Sequence, residues 1–394
     1  MLKSIERFVE ELQRRNPRSI VFTKQLPEVP PRFTQLNNPL PEPLLAYLRD
    51  KKLSLYAHQV ETIEQARAGA HVVMTTPTAS GKSLAFNFSV FEGLYENPDA
   101  TALYLYPLKA LTQDQLQAIR QLEAETGIQA HTAIYDGDTP QHLRQLIRDE
   151  SRVILTNPYG LHQYLPWHHK WRRFYKNLRF VVLDESHTYR GVFGSNVALL
   201  MRRLRRIAEY YGAQPQFILS SATMANPKEH SEKLVGLDFH VVLESGAPRG
   251  AKDFLFWNSV ADASKSVHRQ TSDLLALHVK SGLQTLCFTI SRKLAELIAL
   301  WAKEQGHDSQ IAAYRAGYSP EERRQIEKAL KTGELRGVAS TSALELGIDI
   351  GGLDAVIISG YPGTIISTWQ MAGRAGRGRE SAMVTLIGFQ VREQ

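Results

Sequence analysis

The chain has 394 residues, of which 43% are hydrophobic and 22% are charged, a composition typical of soluble globular proteins. This length is too great for one hydrophobic core, so two domains are expected. A net charge of +7 gives a mild bias toward polyanions such as nucleic acid. Cys287 is the single cysteine, which excludes a disulfide framework or a cysteine-based zinc site within the chain and favours a reducing, cytoplasmic location. No apolar run is long enough to cross a bilayer, so no membrane partner is expected.

The first fifty residues are predicted to form an accessory segment. Residues 2–15 carry apolar side chains at helical spacing. Six prolines between positions 27 and 43 predict an extended strap, and a short helix is expected at about 44–50. We therefore place an N-terminal helical and proline-rich extension at 1–50.

Strand-like and helical stretches alternate from about residue 58 onward. Such alternation is typical of a parallel sheet covered by helices on both faces. A loop at 246–250 separates two such series, so we predict an α/β fold with domains at 51–247 and 248–394. The predicted strands are 71–75, 101–106, 130–134, 152–156, 179–183, 216–220, 284–289, 310–314, 336–340, 354–358 and 382–388.

A loop of small residues follows the first of these strands and precedes a predicted helix. Strand, loop, Lys-Ser and helix is the layout of a phosphate-binding loop, whose backbone N–H groups cradle phosphates at a helix N-terminus. Lys82 is expected to reach the outer phosphates of ATP, and Ser83 to offer its hydroxyl to Mg²⁺. The match is imperfect because Thr76 stands where the general pattern has glycine. The predicted nucleotide-binding residues of the loop are Thr76, Pro77, Thr78, Ala79, Ser80, Gly81, Lys82 and Ser83.

An apolar run at 180–183 ends in two acids, Asp184 and Glu185. Ligands of open α/β sheets bind at the carboxyl ends of strands, so both acids are expected at the same edge as the phosphate loop. Asp184 is predicted to hold Mg²⁺, and Glu185 to orient and deprotonate an attacking water. The alternative is an ordinary strand with solvent-facing acids at its end.

With these motifs present, residues from about 53 to 380 resemble superfamily 2 helicases. The resemblance implies two RecA-like domains in tandem, each a mostly parallel sheet flanked by helices, with ATP bound between them. Gln59 matches the adenine-reading glutamine of these proteins, and Tyr56 stands where they stack on the base. Ser221 and Thr223, in the run Ser-Ala-Thr, match the motif that couples hydrolysis to domain movement.

The second half carries the partner motifs. The run Gln-Met-Ala-Gly-Arg-Ala-Gly-Arg-Gly that begins at Gln370 resembles the arginine-bearing motif of these helicases. The planar guanidinium group suits phosphate oxygens, and the resemblance implies that Arg374 and Arg377 reach the γ-phosphate while Gln370 takes part in coupling. In the preceding motif it implies that Gly347 and Asp349 face the nucleotide.

Nucleic-acid contacts are implied for short loops at strand ends, where hydroxyls and backbone N–H groups bind phosphates without reading sequence. The basic and aromatic stretch 167–179 has two interpretations: a stacking platform for bases, or a segment whose aromatic residues pack on the sheet. The residues for which the resemblance implies nucleic-acid contact are Pro107, Lys109, Thr156, Asn157 and Thr341.

Three departures from the DEAD-box pattern indicate a branch. Ser186 stands where alanine is usual, Leu346 where those proteins have arginine, and Gln370 where they have histidine. These features resemble DNA helicases of the mitomycin repair factor type. That resemblance implies 3′-to-5′ translocation on single-stranded or partly duplex DNA in repair, and a four-cysteine zinc domain that lies outside this chain.

Three alternatives remain open from the sequence. The same fold serves RNA-remodelling ATPases. A P-loop kinase or metabolic ATP user would carry the phosphate loop without the arginine motif. A binding module that has lost catalysis would lack one of Lys82, Glu185 or Arg377, and all three are present.

Overall fold

The computed structural model describes residues 5–306, 308–344, 352–376 and 381–389. These residues form two compact units. The first unit comprises residues 32–247. The second comprises the described residues of 5–31 together with those from 248 onward.

Strands and α-helices alternate along most of the described chain. The strands are β1 (Ile20–Leu26), β2 (Val72–Thr75), β3 (Thr101–Leu105), β4 (Ala133–Ile134), β5 (Val153–Thr156), β6 (Leu178–Leu183), β7 (Gln216–Ser221), β8 (His240–Val242), β9 (Lys252–Asn258), β10 (Thr285–Thr289), β11 (Ile311–Tyr314), β12 (Gly337–Ser340), β13 (Ala355–Ser359) and β14 (Ala382–Gly388). The α-helices are α1 (Ile5–Arg15), α2 (Glu42–Asp50), α3 (Ala57–Arg67), α4 (Lys82–Glu96), α5 (Lys109–Thr126), α6 (Arg144–Glu150), α7 (Pro158–Tyr164), α8 (Arg172–Lys176), α9 (Gly191–Tyr210), α10 (Pro227–Val235), α11 (Val267–Lys280), α12 (Arg292–Lys303), α13 (Pro320–Lys331) and α14 (Ile365–Ala372).

The first unit is built on a seven-stranded parallel sheet with the order β4-β5-β3-β6-β7-β2-β8. Helices cover both faces, which explains why its central strands read as unbroken apolar runs. All four residues of β2 are buried, for example. The helix that follows β2 is apolar on nearly every side because it lies in one of the two cores, where Phe86, Phe88 and Phe91 are fully buried.

The second unit has a seven-stranded sheet with the order β1-β9-β14-β13-β10-β12-β11. Six strands are parallel, and β1 pairs antiparallel with β9 at the edge. The N-terminal helix α1 packs its apolar face into this unit, with Phe8 and Leu12 in the same core cluster as Leu275.

The two sheets confirm the predicted α/β fold with tandem RecA-like domains. One compact unit ends at Ala247, and the chain re-enters the other at Pro248. The structure does not set residues 1–50 apart as the sequence predicted. Within the described part of that segment, α1 and β1 belong to the second unit, and the residues from 32 onward belong to the first.

The aromatic stretch 167–179 follows the second of its two interpretations. Trp171, Phe174 and Tyr175 are almost fully buried in the core beneath the sheet, whereas Trp167 is exposed. Three of the aromatic side chains are therefore packing residues.

Within the described residues, no helix combines the length and the apolar character that a membrane span requires.

Candidate nucleotide-binding site

The phosphate-type loop connects β2 to α4 in the first unit. Gly81 immediately precedes the helix with φ +81°, a left-handed conformation that favours glycine. A β-carbon at this position would lie 2.7 Å from Gln59 Nε2, so both the backbone and the available space require glycine. Ala79 also has a positive φ, +63°, which for a residue with a side chain costs on the order of 1 kcal/mol or more.

Hydrogen bonds hold the loop in a closed turn. Thr76 Oγ1 and Ser80 Oγ lie 2.6 Å apart, and Lys82 Nζ donates to the carbonyl oxygens of Thr76 (2.9 Å) and Pro77 (3.1 Å). The Thr76 hydroxyl therefore forms a side-chain hydrogen bond within the turn. Glycine, which has no side chain, could not form this bond. Burial lowers the pKa of Lys82, and the charges of the two nearby acids at the end of β6 oppose that shift.

The start of α3 is bonded directly to this loop. The Gln59 side chain closes a capping box, in which its Oε1 accepts from the Tyr56 N–H at 2.8 Å. Its Nε2 donates to Gly81 O, also at 2.8 Å. Gln59 is thereby held against the phosphate-type loop.

Tyr56 is stacked, but on protein rings. Its ring lies 5.1 Å from the ring of Phe33 with an interplanar angle of 16°, and 6.0 Å from that of His58 at 11°. None of the sequence motifs includes Phe33, which is half exposed within the proline-rich segment. In the sequence, Phe33 could have been noticed as a single aromatic residue within the proline-rich segment.

The two acids stand at the carboxyl end of β6. Asp184 is buried, and its Oδ1 accepts hydrogen bonds from Ser220 Oγ and from the Glu185 N–H. Burial raises the pKa of Asp184, and the adjacent Glu185 charge raises it further, while the Ser220 hydrogen bond and the Lys82 charge oppose these effects. Because these opposing effects leave the pKa raised, the buried carboxylate is a site suited to a cation.

Glu185 occupies a strained position. Its φ is +50° and its ψ is 42°, a conformation that costs a non-glycine residue about 1–3 kcal/mol and is concentrated at functional sites. Its Oε2 is buried without a hydrogen-bond partner, 3.4 Å from His187 Nδ1. That nitrogen accepts the N–H of Ala222 at 3.3 Å, so it does not donate to Glu185 in this arrangement.

The contacts that β7 and the residue after it make with the residues that follow β6 come from Ser220 and Ala222, which the motif match did not single out. Ser220 contacts Asp184, and the Ala222 N–H contacts His187. The Ser221 hydroxyl instead donates to the carbonyl of Ala222 at 2.8 Å, and Thr223 is exposed. The contact of Ser220 follows from the register of β7 beside β6, which the sequence does not show.

The polar residues predicted to contact nucleic acid in two loops of the first unit have partners within the fold. Thr156 is fully buried and donates to Tyr135 O at 2.7 Å. Asn157 caps α7 by accepting the Gly160 N–H at 2.8 Å. Lys109, which follows Pro107 by two residues, is exposed and pairs with Asp138 at 2.6 Å.

In the second unit, Thr341 lines an open cavity of about 370 Å³ at the carboxyl ends of β10, β12 and β13. Gln370 and Arg374 are buried at 4% and 1% exposure. The remaining predicted residues lie outside the described part of the chain: Gly347, Asp349 and Arg377.

The donor set fits a nucleotide with Mg²⁺. A left-handed glycine opens a helix N-terminus, a half-buried lysine follows it, and an unpartnered carboxylate oxygen lies buried beside Asp184. No group of three or more His, Cys, Asp or Glu side chains in the described ranges is arranged to hold a metal by itself. Magnesium sites in such loops complete their coordination with phosphates and water, which agrees with this small donor set.

Two sequence profiles match the chain. The first, described as "DEAD/DEAH box helicase", matches residues 56–230. The second, described as "Helicase conserved C-terminal domain", matches residues 268–379. Together the two profiles match most of the chain, which therefore carries the two domains of a helicase core.

Relatives of this helicase chain include long proteins from bacteria and yeasts. It is 43% identical over 344 residues to the "Uncharacterized ATP-dependent helicase YprA" of Bacillus subtilis, covering 84% of this chain and 46% of that protein. It is 38% identical over 384 residues to the "ATP-dependent helicase hrq1" of Schizosaccharomyces pombe, covering 92% of this chain and 36% of that protein. The chain thus spans less than half the length of these two relatives.

Solved structures agree with this assignment. The crystal structure of the DUF1998 helicase MrfA bound to DNA superposes with a TM-score of 0.93 at 38% identity, covering 98% of this chain and 56% of MrfA. The DEAD-box helicase Mss116 bound to single-stranded RNA matches with a TM-score of 0.75 at 16% identity, which shows the shared fold alone. The likeness to MrfA confirms the branch that the sequence motifs indicated.

Proposed function

We propose that this helicase chain is an ATP-driven nucleic-acid motor that hydrolyses ATP and translocates along DNA. The observation that carries the proposal is the acidic pair at the end of β6. Asp184 is buried and hydrogen-bonded through one oxygen, and Glu185 presents a buried oxygen that no protein group bonds. Such a pair beside a phosphate-type loop suits hydrolysis of a phosphoanhydride by water.

The proposed roles follow from the chemistry of each group. Lys82 Nζ exchanges its two loop carbonyl partners for the outer phosphate oxygens of ATP, since a cationic donor binds oxyanions more strongly than neutral carbonyls. The unpartnered Oε2 of Glu185 accepts a hydrogen bond from the attacking water and then takes its proton. Ser83 and Asp184 hold Mg²⁺, which when bound neutralises phosphate charge.

Further residues are assigned to the nucleotide by their motifs. Gln59 and Tyr56 recognise adenine, and Gly347 with Asp349 faces the nucleotide. Arg374 and Arg377 stabilise the charge that develops on the γ-phosphoryl group, a role that arginine fills in other nucleoside triphosphatases with a large rate effect. Ser221, Thr223 and Gln370 are proposed to couple hydrolysis to movement of the domains.

The likeness to MrfA, whose structure contains DNA, supports DNA as the polymer. Single-stranded or partly duplex DNA is the proposed track, with movement 3′ to 5′ and a role in repair, in line with the branch resemblance. Pro107, Lys109, Thr156, Asn157 and Thr341 are the proposed contacts, with the backbone of the two first-unit loops carrying most of the binding. The proposed location is the cytoplasm, in line with a chain that contains a single cysteine.

An ATPase assay with and without nucleic acid tests the proposal. We expect single-stranded DNA to stimulate hydrolysis, with an affinity that falls as salt concentration rises because phosphate contacts dominate. Stronger stimulation by matched RNA would favour an RNA-remodelling ATPase. A rate that neither polymer changes would favour a nucleic-acid-independent ATP user and contradict the motor.

A further inference from the structure

A lysine in the second unit is buried, and no acidic side chain among the residues that the structure describes pairs with it. Lys252 is the first residue of β9 and is 7% exposed. It is fixed from both sides, because its backbone lies opposite Leu26 of β1 and Ala382 of β14. The ammonium group therefore has little freedom to reach solvent.

The ammonium group of Lys252 bonds the end of a helix. Its Nζ donates to the carbonyl oxygen of Ala372 at 2.8 Å. Ala372 is the last residue of α14 and is 1% exposed. The carbonyl groups in the last turn of a helix lack partners within the helix and carry partial negative charge. The same carbonyl also accepts the Ala375 N–H at 3.3 Å, so Lys252 adds a second, shorter hydrogen bond and a complementary charge where water has little access.

Burial of this charge is unfavourable. Desolvation lowers the pKa of Lys252 to about 8, and the nearby Arg249 charge lowers it further. A buried ion pair is often replaced by apolar residues without loss of stability. Within the described part of the chain, the Lys252 ammonium group bonds a neutral carbonyl, which offsets its desolvation even less. Stability alone is therefore a poor reason for lysine at this position.

The helix end that Lys252 holds leads directly into the arginine motif. Gly373 and Arg374 follow Ala372, and the Arg374 N–H donates to Met371 O at 3.1 Å. Two residues later the Gly376 N–H donates to Leu353 O at 2.9 Å. The bond from Lys252 and these backbone bonds together fix the direction in which the chain leaves α14.

We infer that Lys252 is a positioning residue for ATP hydrolysis, which acts by fixing the end of α14 and with it the arginine segment that begins at Arg374. The inference rests on the proposed role of that arginine segment. Lys252 makes no contact with substrate in this account. It sets the geometry of a neighbouring segment whose misplacement by about 1 Å can cost up to about a hundredfold in rate.

Three variants of the full chain test the inference: K252M, K252R and Q284M. Gln284 is the matched control, because its side-chain Nε2 donates to Leu330 O at the end of α13 and to Leu335 O, and to no carbonyl of the arginine motif. The measurements are kcat and KM for DNA-stimulated ATP hydrolysis, the Kd of a non-hydrolysable ATP analogue, and the midpoint of thermal unfolding.

We expect K252M to lower kcat about tenfold while KM and the analogue Kd stay within about twofold, since the nucleotide loop is unchanged. K252R should restore most of kcat because it keeps a cationic donor. Q284M removes a side-chain donor to two carbonyl oxygens, so it should lower the thermal midpoint and leave kcat unchanged. If K252M does not fold, K252Q takes its place under the same criteria, because it removes the charge and shortens the donor.

The inference is overturned if K252M keeps wild-type kcat, if K252R is as slow as K252M, or if Q284M loses as much kcat as K252M. An R377A variant separates this result from the proposed function. Undiminished hydrolysis by R377A would contradict the arginine role itself. If R377A hydrolyses ATP slowly while K252M hydrolyses it at the wild-type rate, the proposed role of the arginine motif is retained and that of Lys252 is rejected.

Discussion

Gln59 Nε2 donates a hydrogen bond to Gly81 O at 2.8 Å, and the same nitrogen would lie 2.7 Å from a β-carbon at position 81. The glutamine at the start of α3 therefore uses the space that glycine leaves at the N-terminus of α4. This contact joins two motifs that are 22 residues apart in sequence, and it makes the loop conformation depend on both.

Gly81→Ala is predicted to destabilise the first unit and to weaken ATP binding. Alanine at a φ of +81° costs about 1–3 kcal/mol, and its β-carbon would also displace the Gln59 amide. Thermal unfolding and the Kd of an ATP analogue measure the two effects. Gly69→Ala is the control, because Gly69 has a φ of +80° and a β-carbon there would meet no atom within 4 Å. Equal losses of ATP affinity in both variants would contradict the role of the Gln59 contact.

Ser220→Ala is predicted to shift the acidic limb of the pH profile of kcat/KM upward. The Ser220 hydroxyl stabilises the ionised form of Asp184 and so lowers its pKa against the effect of burial. A hydrogen bond to a charged group contributes about 1.5–3 kcal/mol, and one pKa unit corresponds to about 1.4 kcal/mol, so the shift should be about one to two units. Ser221→Ala removes a hydroxyl that bonds only nearby atoms of its own segment. An acidic limb that moves with Ser221→Ala and not with Ser220→Ala would reject the assignment.

Asp184→Asn is predicted to stabilise the nucleotide-free protein while abolishing hydrolysis. The folded-state pKa of Asp184 is raised above its ordinary value of 3.8, so its contribution to stability is fully present below pH 3.8 and is lost as pH rises through the raised folded-state pKa. Asparagine carries no charge, and the stability difference between variant and wild type should therefore grow from acidic to neutral pH. Chemical denaturation at several pH values measures this trend. The exposed Asp138→Asn, which alters only a surface pair with Lys109, should show no such gain, and a gain for Asp184→Asn that shrinks with rising pH would oppose the account.

Local sequence patterns predicted most of the fold. The run 71–74, the small-residue loop and the helix after it are contiguous in sequence. A short stretch of residues was therefore enough to predict β2 and α4. Strands β1, β8 and β9 were not predicted. β8 has three residues, and β1 is an edge strand whose exposed side chains mask any apolar pattern. The assignment of α1 and β1 to the second unit depends on packing with residues more than 200 positions away, which no local pattern records.

Some residues of the candidate site could likewise be predicted from local sequence, and others could not. Asp184 and Glu185 follow β6 directly, and Lys82 follows the loop after β2, so the strand positions alone indicated that these residues lie at one edge of the sheet. Ser220 was missed because its role depends on the register of β7 beside β6, and the motif match favoured its neighbour Ser221. The strain at Glu185 is also invisible in sequence, because glutamate has no intrinsic preference for a positive φ.

Hydrolysis by Glu185→Gln with retained ATP binding tests the central claim most directly. Glutamine keeps the size of the side chain and cannot accept a proton from water, whereas Lys82, Ser83 and Asp184 remain to bind the nucleotide. The measurement pairs the DNA-stimulated hydrolysis rate with the Kd of ATP for wild type and variant. The account predicts a rate at least about a hundredfold lower with a Kd within about threefold of wild type. Equal hydrolysis rates for the two proteins would contradict the assignment of Glu185 as the base.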